Sequence, residues 1–146
     1  MLSRLSIPIV QAPMLGATTD AIAIAVSNTG AMGSFAAAGS NPDQIRTAVA
    51  ALNAATSAPY AVNIFVLDPV DPDPAVVAAA MALLAPWRER YGLPPQSIPN
   101  AWAQNTAAQV EAIAEAAPPA ASFTFGCLSA QQVARLKQAN IFVIGT

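Results

Sequence analysis

The fold of this chain is decided by residues 7–16, which read Ile-Pro-Ile-Val-Gln-Ala-Pro-Met-Leu-Gly. The apolar run Ile7–Val10 is typical of a strand that is buried on both faces. A proline then breaks the run, and Gly16 allows a sharp turn before Thr18 or Thr19, either of which can cap the next helix. In barrels built of such strand-loop-helix units, ligands bind at this end of the strands.

The rest of the chain repeats the same unit. Four further apolar stretches are predicted to be strands, at residues 31–35, 60–66, 121–125 and 141–144. The helices between them begin at capping residues such as Asn41, Asp73 and Ser129. Uniformly apolar strands that alternate with helices predict a parallel sheet covered by helices. On length alone an open doubly wound sheet would be preferred, because a complete (β/α)8 barrel needs about 250 residues and this chain has 146.

The segment between the third and fourth predicted strands, residues 67–120, is longer than one crossover requires. Its first helix contains Pro86, which should kink the helix or end its regular part. Thr106 with Gln109 resembles the capping box of a second helix. We interpret residues 1–146 as a single incomplete domain in which this elaborated third crossover could wall one side of a pocket.

The absence of histidine excludes several kinds of site. The chain has no histidine and one cysteine, so a Ser-His-Asp triad, a Cys-His pair and a histidine-liganded metal are all excluded. Asp68, Asp71 and Asp73 are separated by prolines, which favours a solvated turn over a metal-binding loop. We therefore expect no metal site.

Charge and hydropathy limit the classes of partner that the chain is expected to bind. The net charge is −2 and the six basic residues are scattered, which argues against nucleic acid. No uninterrupted apolar run reaches the roughly 20 residues of a spanning helix, so no membrane partner is expected. A single cysteine, together with the lack of a signal-like segment before Ile7, predicts a cytoplasmic location.

Four blocks of sequence carry a resemblance to a known family. Residues 8–16 and residues 25–34, which read Ala-Val-Ser-Asn-Thr-Gly-Ala-Met-Gly-Ser, resemble the N-terminus of the nitronate monooxygenases, formerly called 2-nitropropane dioxygenases. Val62–Phe65 and Ser122–Gly126 extend the match. The resemblance covers essentially the whole chain but only the first half of the family. It implies an FMN-dependent barrel, and it favours the first half of a (β/α)8 barrel, with about five strands, over an open sheet.

The resemblance also implies a site at the strand ends. The backbone of Ala12, Pro13 and Met14 would lie against the flavin ring, and Asn63 would form a hydrogen bond with the ring. The alternative for Asn63 is a core amide that ties two strands together, and for Met14 a side chain that fills a gap in the core.

Thr124 stands where the family has a histidine that acts as a base toward the substrate. Threonine cannot act as a base near neutral pH. Removal of a proton from a neutral nitroalkane is therefore not expected, whereas an already ionised nitronate needs no such step.

We expect a fragment of an FMN-dependent oxidoreductase that oxidises small alkyl nitronates with oxygen. The alternatives are a flavin-dependent enoyl reductase, whose opening sequence is similar, and a non-catalytic half-barrel that needs a partner chain. Barrel enzymes typically hold a cofactor phosphate with the loops after strands 7 and 8. That part of the site is expected to be absent here, so the isolated chain should be inactive and should self-associate or require a complementary C-terminal half.

Overall fold

A computed structural model describes residues 3, 5–99 and 101–145 of the chain. Its elements are α1 (Asp20–Asn28), β1 (Gly33–Ala36), α2 (Pro42–Ala55), β2 (Tyr60–Phe65), α3 (Pro74–Arg90), α4 (Thr106–Ala116), β3 (Ala120–Thr124), α5 (Ala130–Gln138) and β4 (Phe142–Gly145). The four strands form one parallel sheet in the order β1-β2-β3-β4. The predicted parallel β/α architecture is confirmed.

The segment before α1 lies beside β1 without forming a regular strand. Gln11 N donates a hydrogen bond of 2.9 Å to Met32 O, and Met32 N donates one of 3.0 Å to Ile9 O. Val10 pairs with Met32 as an isolated parallel bridge. The prediction of burial on both faces is wrong, since Ile9 is 59% and Val10 47% exposed. Ile7 N also donates to Gly30 O at 3.1 Å, but Ile9 N donates back to Ile7 O at 2.7 Å, and this local turn interrupts a regular ladder.

The helices begin where local capping chemistry places them. Thr19 caps α1 by accepting a hydrogen bond from the backbone N–H of Ile22. Asn41 with Gln44 at α2, and Ser129 with Gln132 at α5, form complete capping boxes. These starts were readable from sequence because a cap depends on residues only three positions apart.

The two faces of the sheet have different environments. Val62 and Ile64 of β2 are fully buried with the apolar stripes of α2 and α4 in the main core. Ala61 alternates with them and packs in a smaller cluster with Met32 and Ala120 on the opposite face. Because side chains alternate along a strand, Asn63 and Phe65 share the face of Ala61. The face turned away from the main core is the one that carries the polar strand residues.

The contact between α1 and β1 depends on a glycine. A Cβ at Gly33 would collide with the carbonyl group of Ala23 in α1. The backbone N–H of Gly33 donates a hydrogen bond of 3.1 Å to Ser27 Oγ, and Ser27 is fully buried. The missing side chain at residue 33 lets the helix backbone lie directly on the strand.

The chain between β2 and β3 contains α3 and α4. By contacts the structure divides into two compact units, one of residues 1–68 with 104–146 and one of residues 69–103. In the smaller unit, Asp73 caps α3 and Pro74 begins it, as predicted. The helix continues past Pro86 to Arg90, so this proline does not end it, and the alternative expectation of a kink stays a prediction. Across the described ranges no helix combines the length and apolar character that crossing a bilayer requires.

The start of α4 differs from the prediction. Asn105, rather than Thr106, is the cap, and its side chain accepts a hydrogen bond of 3.0 Å from Ala108 N. Gln109 is 1% exposed, and its Nε2 donates to Ser40 O at 2.8 Å. Its amide is thus used to hold the loop after β1, which local spacing could not indicate.

Candidate functional site

The carboxyl ends of the strands surround a concavity of about 510 Å³, which we call the strand-end concavity. It is lined by Val10, Gln11, Ala12, Pro13, Ser34, Ala61, Asn63, Phe65, Ser122, Thr124, Phe125 and Ile144. Among these described lining residues none carries a charge or titrates near neutral pH. Ligand sites in proteins are typically concave and mostly apolar, with a few placed polar groups. This lining can position a neutral, planar group by shape and hydrogen bonds, but it cannot supply acid-base chemistry.

Asn63 lies at the centre of the polar lining. The amide is on β2 and is 2% exposed. Its Nδ2 donates to Ser122 Oγ at 2.9 Å and to Thr124 Oγ1 at 3.3 Å, both on β3. The predicted alternative of an amide that ties two strands together is therefore observed. Within the described chain no donor reaches Asn63 Oδ1, so the oxygen remains able to accept a hydrogen bond from a ligand.

Thr124 stands beside Asn63 because of the register of the sheet. Phe65 of β2 pairs with Thr124 of β3, just as Asn63 pairs with Ser122 two residues earlier. The hydroxyl of Thr124 accepts from Asn63 Nδ2 and lines the strand-end concavity. The structure thus brings together Thr124 and Asn63, which the sequence analysis had named separately. What Thr124 does toward a substrate stays a prediction.

The loop after the first segment is held by a residue that the sequence analysis missed. Gln11 Nε2 donates to Thr18 Oγ1 at 3.2 Å, and Gln11 Oε1 accepts from Ser34 N at 3.3 Å. Gln11 therefore connects the two ends of the loop to the edge of β1. The available signal was a polar side chain directly after an apolar run, at the edge of a predicted ligand site.

The three loop residues predicted to touch a cofactor are placed differently. Ala12 and Pro13 line the strand-end concavity. Met14 is not among its lining residues, and its side chain is 56% exposed. Met14 N donates to Thr18 Oγ1 at 3.1 Å, while Met14 O accepts from Thr18 N at 2.8 Å. Both backbone groups of Met14 are thus used within the loop, which leaves the thioether as the part able to meet a ligand.

Two aromatic rings at the edge of the concavity were also missed. The rings of Phe65 and Phe125 meet edge to face, with centroids 4.8 Å apart and planes at 75°. Phe125 is 72% exposed and has a φ of +78°. The sequence motif placed these residues at strand ends, but a positive φ at a phenylalanine has no sequence signal.

The ion pairs of the described residues join side chains on the helices. Arg135 of α5 forms a short ion pair with Glu111 of α4, at 2.6 Å, and the arginine hydrogen bond holds the pKa of the Glu111 carboxyl below its usual range. Arg46 of α2 pairs with Glu115 at 2.8 Å. Cys127 is exposed. Among the described residues no three acidic, cysteine or histidine side chains cluster in a way that could hold a metal ion.

Comparison with known proteins identifies the family. A family model described as nitronate monooxygenase matches residues 1–146. The chain belongs to the nitronate monooxygenase family. The nitronate monooxygenase of Paraburkholderia phytofirmans is 36% identical over 142 residues, which is 95% of this chain and 39% of the relative. The nitronate monooxygenase of Pseudomonas aeruginosa is 36% identical over 140 residues, with 94% of this chain and 40% of that protein covered. This member of the family therefore spans about two fifths of the length of these relatives.

Solved structures place the chain within a barrel. A nitroalkane oxidase from Streptomyces ansochromogenes matches with a TM-score of 0.85 and 26% identity, over 98% of this chain and 41% of that one. FabK from Thermotoga maritima matches in fold alone, with a TM-score of 0.66 and 24% identity, over 99% of this chain and 34% of that one. The predicted first half of a (β/α)8 barrel is confirmed, and the open doubly wound sheet is excluded.

Proposed function

We propose that this chain is the N-terminal, ring-facing half of an FMN-dependent nitronate monooxygenase that oxidises alkyl nitronates with oxygen. The observation that carries the proposal is the uncharged strand-end concavity, in which Asn63 Oδ1 lies at the carboxyl ends of the strands without a donor from the described chain. Small side chains at Ala12, Ser34 and Ala61 leave the room that a planar ring system needs. The residues present therefore fit a flavin.

Each residue has a distinct part in this proposal. Asn63 Oδ1 accepts a hydrogen bond from an N–H of the ring, while its Nδ2 is held by β3. Ala12 and Pro13 make a flat, uncharged surface against one side of the ring, and Met14 contributes only its thioether. The flavin, when bound, supplies the electron transfer between substrate and oxygen. The protein's contribution here is to orient the ring within an uncharged lining.

The substrate in this proposal is the nitronate anion and not the neutral nitroalkane. The described residues that line the concavity include no group able to remove a proton near neutral pH. Thr124 lies beside Asn63 in this lining, and its hydroxyl cannot take up a substrate proton near neutral pH. A nitronate is already ionised, so its oxidation does not depend on the missing base.

The partner in this proposal is a complementary C-terminal half-barrel. β4 ends the described sheet, and Phe142 on it is 38% exposed. Ile9 and Val10, at the other side of the sheet, are also exposed. Uncovered sheet edges with apolar side chains favour association with another chain. We place the assembled protein in the cytoplasm, because the exposed thiol of Cys127 suits a reducing compartment.

The proposal is tested by purifying the 146-residue chain alone and together with the C-terminal part of a curated relative. We expect the chain alone to be colourless and self-associating, and the assembled pair to carry FMN and to consume oxygen with ethyl nitronate. A folded pair without flavin would contradict the proposal. A soluble monomer of the chain alone with bound FMN would contradict the need for a partner.

A further inference from the structure

Phe125 has a backbone conformation that its side chain does not favour. Its φ of +78° lies in the left-handed region, where a bulky residue is a rare outlier. Glycine adopts that conformation freely because it has no Cβ. The position would thus be occupied by glycine if only the stability of the turn mattered, and strained residues of this kind cluster at functional sites.

Core packing does not account for the ring. Phe125 is 72% exposed, and the contact recorded for its ring is the edge-to-face one with Phe65. A ring that is mostly in solvent gains little from burial, since hydrophobic stabilisation scales with the area removed from water. Within the described residues, the fold therefore keeps a strained and exposed aromatic side chain without a matching gain in stability.

The turn that carries Phe125 is fixed against β2. Val66 N donates a hydrogen bond of 3.0 Å to Thr124 O, which joins the end of β2 to the end of β3. A Cβ at Gly126 would lie 2.6 Å from Val66 O, closer than side chains allow. The backbone on both sides of Phe125 thus lies directly against the end of β2, which fixes where the ring starts.

Both rings face the site. Phe65 and Phe125 line the same strand-end concavity as Asn63 and Thr124. We propose that Phe125, supported by Phe65, is a specificity-determining residue, an aromatic wall that limits the size of the apolar substituent carried by the substrate. This inference rests on the proposed function. It predicts that nitronates with short alkyl substituents are accepted and that those with a branched or aromatic substituent are excluded by the wall.

The test compares Phe125→Ala with Phe125→Gly in the flavin-loaded assembly. Both variants remove the ring, but only glycine relieves the left-handed strain. We expect Phe125→Gly to melt about 3 °C above Phe125→Ala, the shift typical of such a backbone change in a domain of this size. Equal melting temperatures would overturn the claim that residue 125 is strained.

The second measurement is selectivity. We expect both variants to raise the ratio of kcat/KM for the phenylnitromethane nitronate to that for ethyl nitronate about tenfold or more, the scale of steric discrimination in apolar pockets. Tyr91→Ala, which removes an aromatic side chain that is 68% exposed elsewhere, should leave the ratio unchanged.

The outcomes separate the inference from the proposed function. If the variants retain flavin and turnover but the ratio of the two kcat/KM values is unchanged, Phe125 does not determine specificity. The proposed function is not affected by that result. A parent assembly that binds no flavin overturns both.

Discussion

The side-chain amide of Asn63 donates a hydrogen bond of 2.9 Å to the hydroxyl of Ser122, the residue paired with it on the neighbouring strand. The bond occupies a donor of the amide and leaves its oxygen available. One side chain can therefore join β2 to β3 and still present an acceptor to the strand-end concavity. The two roles can be separated by mutation.

Asn63→Leu removes both the hydrogen bonds from Asn63 to β3 and the acceptor oxygen Oδ1. Ser122→Ala removes only the hydrogen bond between Asn63 and the Ser122 hydroxyl. We expect each variant to lose about 1–3 kcal/mol of unfolding free energy, because a buried hydrogen bond is broken. Only Asn63→Leu should also lose flavin from the assembled barrel. Urea unfolding and the flavin absorbance per mole of protein measure the two effects. Equal loss of flavin in both variants would count against a ligand role for Asn63 Oδ1.

Thr124→His restores a titratable group beside Asn63. In the assembled barrel we expect turnover of neutral nitroethane to appear and to rise with pH around the usual histidine pKa of about 6.5. Turnover of ethyl nitronate should change little, since that substrate needs no base. The measurement is oxygen consumption with nitroethane and with ethyl nitronate, and Thr124→Ala serves as the control variant. If histidine affects both substrates alike, Thr124 does not lie where the proton is removed.

Thr18→Val removes the hydroxyl that accepts hydrogen bonds from Met14 N and Gln11 Nε2. We expect amide exchange at Met14 to become about tenfold faster, which corresponds to the loss of roughly 1.4 kcal/mol of hydrogen bonding. The Ser34 amide, which donates to Gln11 Oε1, should stay protected in this variant and lose protection in Gln11→Leu. Hydrogen exchange followed by NMR measures the protection of the Met14 and Ser34 amides in both variants. The same exchange pattern in the two variants would show that Gln11 does not hold the two segments separately.

Tyr60 gives a pH-dependent prediction outside the site. Its hydroxyl donates to Asn53 Oδ1 at 2.7 Å, and burial raises the pKa of Tyr60 to about 12 from 10.0. The unfolded chain therefore releases this proton at a lower pH than the folded one. The stabilisation is fully present below pH 10 and is lost as the pH rises toward about 12. Tyr60→Phe should cost about 1 kcal/mol at pH 7 and should lack this alkaline loss. Urea unfolding between pH 7 and 12 tests it, and parallel curves for both proteins would contradict the assignment.

Local patterns were enough to determine the order of elements. The caps at Asn41 and Ser129 and the four later strands were predicted correctly, because capping and periodicity are encoded within a few residues, whereas the first predicted strand, Ile7–Val10, forms only an isolated bridge. The resemblance carried by four blocks together, residues 8–16, 25–34, 62–65 and 122–126, identified the family and the half-barrel. It also named Asn63 and Thr124, which the structure places together. The caps and strands follow from the chain itself because each is fixed by neighbours in sequence, and the family follows from the identities of the residues in the four blocks.

Only the tertiary structure decided which polar atoms are left for a ligand. The partner of Asn63 lies 59 residues away on β3, and the contact exists because the sheet register sets those two residues opposite each other. Gln109, predicted as part of a capping box, instead holds the loop after β1, and the φ of +78° at Phe125 has no local signal. The physical reason is common to all three. Hydrogen bonds and backbone strain between distant segments depend on how the elements pack, and packing is a property of the whole fold rather than of any short stretch.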